Sequence, residues 1–267
     1  MKQGSLDNFS LFCWNIGNPS KERAKKQAVW LDNRPEHIFV LTETKKSDGC
    51  LLIEEYFKTR DYDVIFPKPE GKECGTMIIS KYSLMPSDFS NRINYLQSRI
   101  VSAKLKLPDC LLEIIGVYVP SRNSEYEKII RKKRFLENLT NTLKKDFQPD
   151  KRVFCGDLNI LEPNHIPRYP FFQKWEYNFY ENLIKNGFED AFRYLNPDAQ
   201  EYSWVGHAGD GYRYDHCFVS ENLLSLVQKS HYFSEPRETR LSDHSALITE
   251  FDFQLAGAKP RKSPALF

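Results

Sequence analysis

The chain has 267 residues, 40% of them hydrophobic and 28% charged, with 19 Phe, 14 Tyr and 4 Trp, which excludes a disordered chain and supplies core material for one large domain. Its 38 Lys and Arg against 36 Asp and Glu leave a formal charge of only +2, which excludes a global positive field, so any attraction for a polyanion must come from local patches. No apolar run approaches the roughly 18 residues of a membrane helix, and the start MKQGSLDNFS lacks the apolar core of a signal peptide, so a cytoplasmic protein with no membrane contact is expected.

Short β-rich runs alternate with longer amphipathic stretches along the chain. Strands are expected at Phe9 to Asn15, Ile38 to Glu43, Asp63 to Phe66, Gly75 to Ser80, Arg99 to Leu105, Leu111 to Tyr118, Arg152 to Cys155, Tyr214 to Val219 and Ser245 to Phe253. Many are apolar on both faces of the alternation, as in strands buried inside a layered α/β fold. Helices are expected at Lys21 to Leu31, at Glu125 to Phe147, where apolar residues recur three or four apart, and at Phe171 to Asn186, which ends at Gly187. The cluster Arg131 to Arg134 reads first as a solvated helix face. No linker interrupts the chain before Gly257, so a single domain over residues 1–256 is expected, followed by a loose tail at 257–267. The six cysteines, Cys13, Cys50, Cys74, Cys110, Cys155 and Cys217, form no CxxC pair and read as reduced core thiols.

Polar residues recur at the edges of the central strands. Asn15 follows LFCW, Glu43 follows IFVLT, Asp157 and Asn159 lie in GDLN, and Asp243 and His244 lie in LSDHSALI just before the final strand. In layered α/β folds the ends of adjacent strands converge on one crevice. Clustered carboxylates repel one another unless a cation neutralises them, and oxygen donors from Glu, Asp and Asn suit Mg2+ or Mn2+ better than zinc. Such a set points to phosphate chemistry.

Taken in order, Asn15, LTETK around Glu43, GVYVP around Tyr118, GDLN, RYDH holding Asp215, and SDH resemble the signature of the endonuclease/exonuclease/phosphatase superfamily, over about residues 9 to 253. That resemblance implies a four-layer α/β sandwich with two central mixed sheets. Within the superfamily, ETK and the stretch NGFEDAFRYLNPDAQEYSW resemble the exonuclease III and abasic-site endonuclease branch. The implied activity is hydrolysis of a DNA phosphodiester by a monomer, at an abasic site or from the 3′ end, with damaged duplex among the substrates.

By resemblance, Glu43 ligates the metal with Asn15 and Asp243 completing or supporting the shell. Asp157 orients and deprotonates the attacking water, and Asn159, on the same side if the segment is extended, donates to the phosphate. His244 binds a phosphate oxygen or transfers a proton, with Asp215 accepting its other N–H, and Tyr118 reaches the leaving oxygen. Asn15 has an alternative as a turn or cap residue and Tyr118 as plain core. His37, His165, His207, His216 and His231 read as structural or surface histidines. Trp204, Tyr212 and Tyr214 match an apolar pocket for an extrahelical abasic sugar, with a half-buried sheet aromatic as the bland reading of Trp204. Arg122, Arg213 and the helix cluster at Arg131 to Arg134 are the candidate phosphate contacts.

Two departures from the branch bear on substrate. The segments Val205 to Gly211 and PSRNSEYEK are short, and Tyr212 and Tyr214 are bulkier and more polar than the pattern expects. The same chemistry on undamaged DNA, RNA or a small phosphodiester is the alternative, and a binding module without catalysis would need gaps in the catalytic set.

Overall fold

The structure is a computed structural model that describes residues 9–107, 110–145 and 151–253; the expected tail and the end of the helix expected to reach Phe147 lie outside the described residues. One sheet runs β13 (Val227–Phe233), β14 (Ala246–Phe251), β1 (Phe9–Asn15), β2 (Ile38–Thr44), β4 (Gly75–Ser80) and β3 (Asp63–Ile65). The other runs β5 (Leu84–Pro86), β6 (Ile100–Lys106), β7 (Leu111–Tyr118), β8 (Lys151–Asp157), β12 (Asp215–Ser220) and β9 (Phe188–Asp190). A short hairpin, β10 (Trp204–Val205) and β11 (Gly211–Tyr212), stands apart from both.

Each large sheet is mixed. The pair β1 and β2 is parallel, as is β7 and β8, while their other neighbours are antiparallel. A parallel pair needs a long crossover. Helices α1 (Lys21–Asp32) and α3 (Tyr126–Lys145) supply the two crossovers, joined on their layers by α2 (Asp48–Lys58) and α4 (Lys174–Lys185). The short helices α5 (Ala191–Leu195), α6 (Glu221–Leu224) and α7 (Glu235–Glu238) sit in connections.

Strand alternation sorts the side chains into layers. From β1, Leu11 and Cys13 point between the sheets, where they meet Val40, Ile78, Ala103, Ile114, Val153 and Cys217. Phe12 and Trp14 point the other way, against Ala24, Ala28 and Leu31 of α1 and Ile53 and Phe57 of α2. On the far side, Ile115, Val117, Phe154 and Phe218 pack under Phe135 and Leu139 of α3 and Phe179 and Leu183 of α4. Three apolar layers therefore lie between four layers of structure, in the order helices, sheet, sheet, helices. Each fully buried large side chain contributes roughly 1.5–3 kcal/mol. The fold class is the expected one, and all six cysteines are free, four of them buried.

Several elements were not expected. Helix α2 is capped by Ser47, whose hydroxyl accepts from Cys50 N, and the strands β5, β9, β10, β11 and β13 are short or carry charges on an open edge. Strand β8 extends two residues past the expected Cys155, so Asp157 is its last residue. Among the described residues no helix is long and apolar enough to cross a membrane.

Candidate active site

The two sheets bring their polar ends to one side. In the second sheet Tyr118 pairs with Asp157 across β7 and β8, and Asp157 pairs with Asp215 across β8 and β12, so one row presents a phenol and two carboxylates. The row is tight because Gly156 takes φ +149° and a Cβ there would lie 1.8 Å from the Val117 carbonyl oxygen, a place only glycine can fill. In the first sheet, the β2–β4 register shifts between Thr42 and Thr44. Glu43 is the bulged residue, with φ at +55°, and the bulge re-aims its side chain.

Asn15 joins the sheets. Its amide nitrogen donates to Glu43 Oε2 at 3.0 Å and to Asp157 Oδ2 at 2.8 Å, while its oxygen accepts from Gly17 N at 2.9 Å. The Tyr118 hydroxyl donates to the same Glu43 oxygen at 3.2 Å. Burial, then the charges of Glu43 and Asp157, push the Tyr118 phenol well above its ordinary value, so it stays a donor.

Asp157 is buried. Burial, then the Asp215 charge opposite, raises its carboxyl to about 7, against the lowering pull of His244, Asn15 and the Asn159 N–H. That N–H reaches Asp157 Oδ1 at 2.9 Å, and Asn159 adopts φ +49° with its amide nitrogen donating to Val119 O at 3.0 Å. The segment is therefore a turn and not the extended stretch expected, because Asp157 draws the Asn159 backbone round to itself. Lys132 Nζ then clamps the Asn159 carbonyl at 2.6 Å.

His244 Nδ1 donates to Asp215 Oδ2 at 2.7 Å. Burial alone would lower the imidazole pKa, but Asp215, then Asp157 and Asp243, outweigh it and raise the value to about 9. Its Nε2 has no protein partner among the described residues. Ser242 holds the strand entry in place: its hydroxyl donates to Asn15 O at 2.6 Å and accepts from His244 N at 3.3 Å. Sequence reasoning passed over Ser242, although it lies in the SDH string.

Asp243 is exposed at the mouth, where its Oδ2 accepts from the Trp204 indole N–H at 2.9 Å. Among the described residues no group of three or more His, Cys, Asp or Glu gathers closely enough to hold a metal ion. The donors nevertheless fit a hard cation. Both hydrogen bonds to the Glu43 carboxylate fall on Oε2, leaving Oε1 available, and Asp215 Oδ1 is buried with no donor. A magnesium-type ion often takes one or two carboxylates and completes its shell with water and substrate oxygens.

Two expected phosphate contacts are corrected. The Arg213 guanidinium is buried and donates to Glu162 at 2.7 and 3.1 Å and to Asp190 at 2.7 Å. The Arg122 side chain is buried too, bonded through both Nε and a terminal nitrogen to Glu176 and to Phe171 O at 2.7 Å. In each case a buried carboxylate far away in sequence claims the cation, because an unpaired charge there would be costly. The cluster on α3 is divided: Lys132 is buried on Glu176, Arg131 pairs with Glu73, and Arg134 lies over the Tyr95 ring. Burial likewise places His165 and His216 among structural residues, His216 contacting Asp190 and the Ile160 carbonyl.

Trp204, Tyr212 and Tyr214 do come together beside this site, and Tyr169 and Phe172 join them. Arg99, also unanticipated, lies 4.7 Å over the Tyr118 ring and donates to the Tyr118 carbonyl at 3.2 Å.

Residues 12–244 match the sequence profile of the Endonuclease/Exonuclease/phosphatase family. An exodeoxyribonuclease of Bacillus subtilis is 23% identical over 236 residues, covering 82% of this chain and 90% of its own length. Recombination repair protein 1 of Drosophila melanogaster is 26% identical over 234 residues, 82% of this chain but only 34% of that protein. An AP endonuclease from Archaeoglobus fulgidus superposes with a TM-score of 0.77 at 23% identity, over 91% of this chain and 99% of that one. A 3′ phosphatase from Neisseria bound to a product DNA hairpin gives 0.79 at 21% identity, over 92% of this chain and all of the other. At these identities the solved structures speak for the fold alone.

Proposed function

The chain belongs to the Endonuclease/Exonuclease/phosphatase family, and from that premise we propose that it is a divalent-metal-dependent phosphodiesterase acting on DNA, at 3′ ends or abasic sites, in DNA repair. The observation that carries this reading is the single Asn15 amide donating to both Glu43 and Asp157, which ties the end of one sheet to the end of the other. The names of the relatives, an exodeoxyribonuclease and an AP endonuclease among them, support DNA as the substrate. A monomer in the cytoplasm, where the six free thiols stay reduced, completes the reading.

Glu43 would hold the Mg2+ or Mn2+ ion, with Asn15 and Asp243 in support. When bound, such an ion offsets the negative charge that builds on the phosphate. The side chains do the rest. Asp157, with a carboxyl near neutrality, accepts the proton of the attacking water. His244, protonated and fixed by Asp215, offers Nε2–H to a non-bridging oxygen. Asn159 presents its second amide N–H to the phosphate, and Tyr118 its hydroxyl to the leaving oxygen.

Asp157→Asn and His244→Ala are each expected to lower kcat by about 10²–10⁴-fold on duplexes bearing a recessed 3′ end or one abasic analogue, whichever the wild type cleaves, with the wild-type reaction abolished by a chelator. Full activity of either variant would remove the assignment. The net charge of +2 favours a second reading, the same chemistry on undamaged DNA, RNA or a small phosphodiester, since no broad positive field gathers long polyanions. A panel of these substrates with and without chelator separates the two.

A further inference from the structure

The aromatic wall beside the site narrows the substrate, an inference that rests on the DNA phosphodiesterase reading above. Tyr212 is stacked on both faces. Its ring centroid lies 4.3 Å from that of Tyr169 with 21° between the planes, and 5.1 Å from that of Tyr214 with 17° between them. Rings this close and this nearly parallel are in van der Waals contact, and no sugar fits between them. Trp204 closes a third side, 5.4 Å from Tyr212 and 6.1 Å from Tyr214.

The column is clamped as well as filled. The Tyr169 hydroxyl donates to Gly211 O at 3.1 Å, and the Tyr202 ring lies so close to Gly211 that a Cβ there would come within 2.2 Å of it. Tyr202 is itself tied by its hydroxyl to Ile166 O at 2.9 Å. Trp204 is held by Asp243 and pairs with Tyr212 across the hairpin. At the inner end the Tyr214 carbonyl accepts from Leu158 N at 2.8 Å, one residue from Asp157. The backbone that carries the rings is therefore joined to the turn that carries Asp157.

We propose that Tyr212 is a specificity-determining residue that plugs this wall, so that the enzyme takes the phosphate of a 3′ terminus and rejects an internal abasic deoxyribose. An internal nucleotide is tethered on both sides and can bring its phosphate to Asp157 and His244 only by turning its sugar out into the wall. A terminal nucleotide has one tether and enters edge first, without displacing a ring. Both reactions have the same balance: water adds its oxygen to phosphorus, the P–O3′ bond breaks, and the leaving oxygen takes a proton.

The test uses duplexes bearing an undamaged recessed 3′ end, a 3′-phosphate end, or one internal tetrahydrofuran residue, with the full chain in Mg2+. The wild type is expected to process the ends at least about tenfold faster than it incises the internal site. Tyr212→Leu, which opens the column, should raise the ratio of internal incision to end processing by about tenfold or more, whereas Tyr212→Phe keeps the ring and the wild-type ratio. Tyr169→Ala removes the opposite clamp and should move the ratio the same way, covering the case in which Tyr212→Leu fails to fold. A wild type that cuts the internal site as fast as the ends, or ratios unchanged in both opening variants, overturns the proposal. Absence of chelator-sensitive hydrolysis on every duplex would instead overturn the DNA reading beneath it.

Discussion

A single amide nitrogen on Asn15 restrains two carboxylates that would otherwise face each other across the gap between the sheets. Hydrogen bonds to charged groups contribute roughly 1.5–3 kcal/mol each, so Asn15→Ala should lower kcat/KM by about 10- to 100-fold while the strands keep their register. Steady-state kinetics beside thermal unfolding checks this; an unchanged kcat/KM would show that Glu43 and Asp157 do not need the bridge. The residues of this cluster were readable in the sequence because each sits in a short string of fixed order. What the strings hide is orientation. Nothing in GDLN alone says that Asn159 turns left-handed to place its N–H on Asp157, or that Ser242 and not its neighbour stitches Asn15 to His244. Arg122 and Arg213 failed for a related reason: an arginine beside a motif looks available until Glu176, or Glu162 and Asp190, are brought to it by the fold.

Those buried pairs show what the segment from β9 into α5 contributes. Asp190 ends β9, caps α5 through the N–H groups of Phe192 and Arg193, and accepts from Arg213 and from the Tyr180 hydroxyl. Arg213 lies between Tyr212 and Tyr214, so the ion pair anchors the backbone that carries the aromatic column. Removing one partner of a buried pair leaves the others uncompensated, and Arg213→Met should cost about 3–5 kcal/mol of stability. Urea unfolding measures it, and a loss under about 1 kcal/mol would mean that Glu162 and Asp190 find new donors, with Arg193 the nearest candidate. Long elements with clean periodicity, such as α1, α3 and the central strands, were legible. The others were not: β9 has three residues, β13 carries Lys229 toward solvent on the open edge, and α2 starts with Asp48, Gly49 and Cys50 in place of strong helix formers.

At the scale of the whole molecule, the polar cluster occupies one end of the sandwich and His37 the other, where β2 begins. His37 Nδ1 accepts from Ser10 N at 3.0 Å, and the ring is stacked between Phe9 and Tyr82. Burial, then the charge of Lys81, lowers its pKa to about 4. The folded value lies below the unfolded one, so neutral His37 contributes stability that is complete above pH 6.5 and is lost as pH falls toward 4. Glu162 follows lower down: the Arg193 and Arg213 guanidinium groups overcome its burial and bring it to about 2, so its contribution is complete above 4.5 and disappears toward 2. Asp157 runs the other way, since its carboxyl, raised to about 7, takes up a proton in the folded protein first and opposes the His37 loss over the same window, so the His37 contribution is read from the difference between wild type and variant. Each group releases at most one proton's worth of slope, about 1.4 kcal/mol per pH unit. His37→Gln, which can still accept from Ser10, should raise Tm relative to the wild type progressively as pH falls from 6.5 to 4 and leave the Glu162-linked fall below 4.5 in place. Tm profiles that coincide for the two proteins over the upper window would show that His37 is not the group that titrates there, and that the loss of stability begins elsewhere in the sheets.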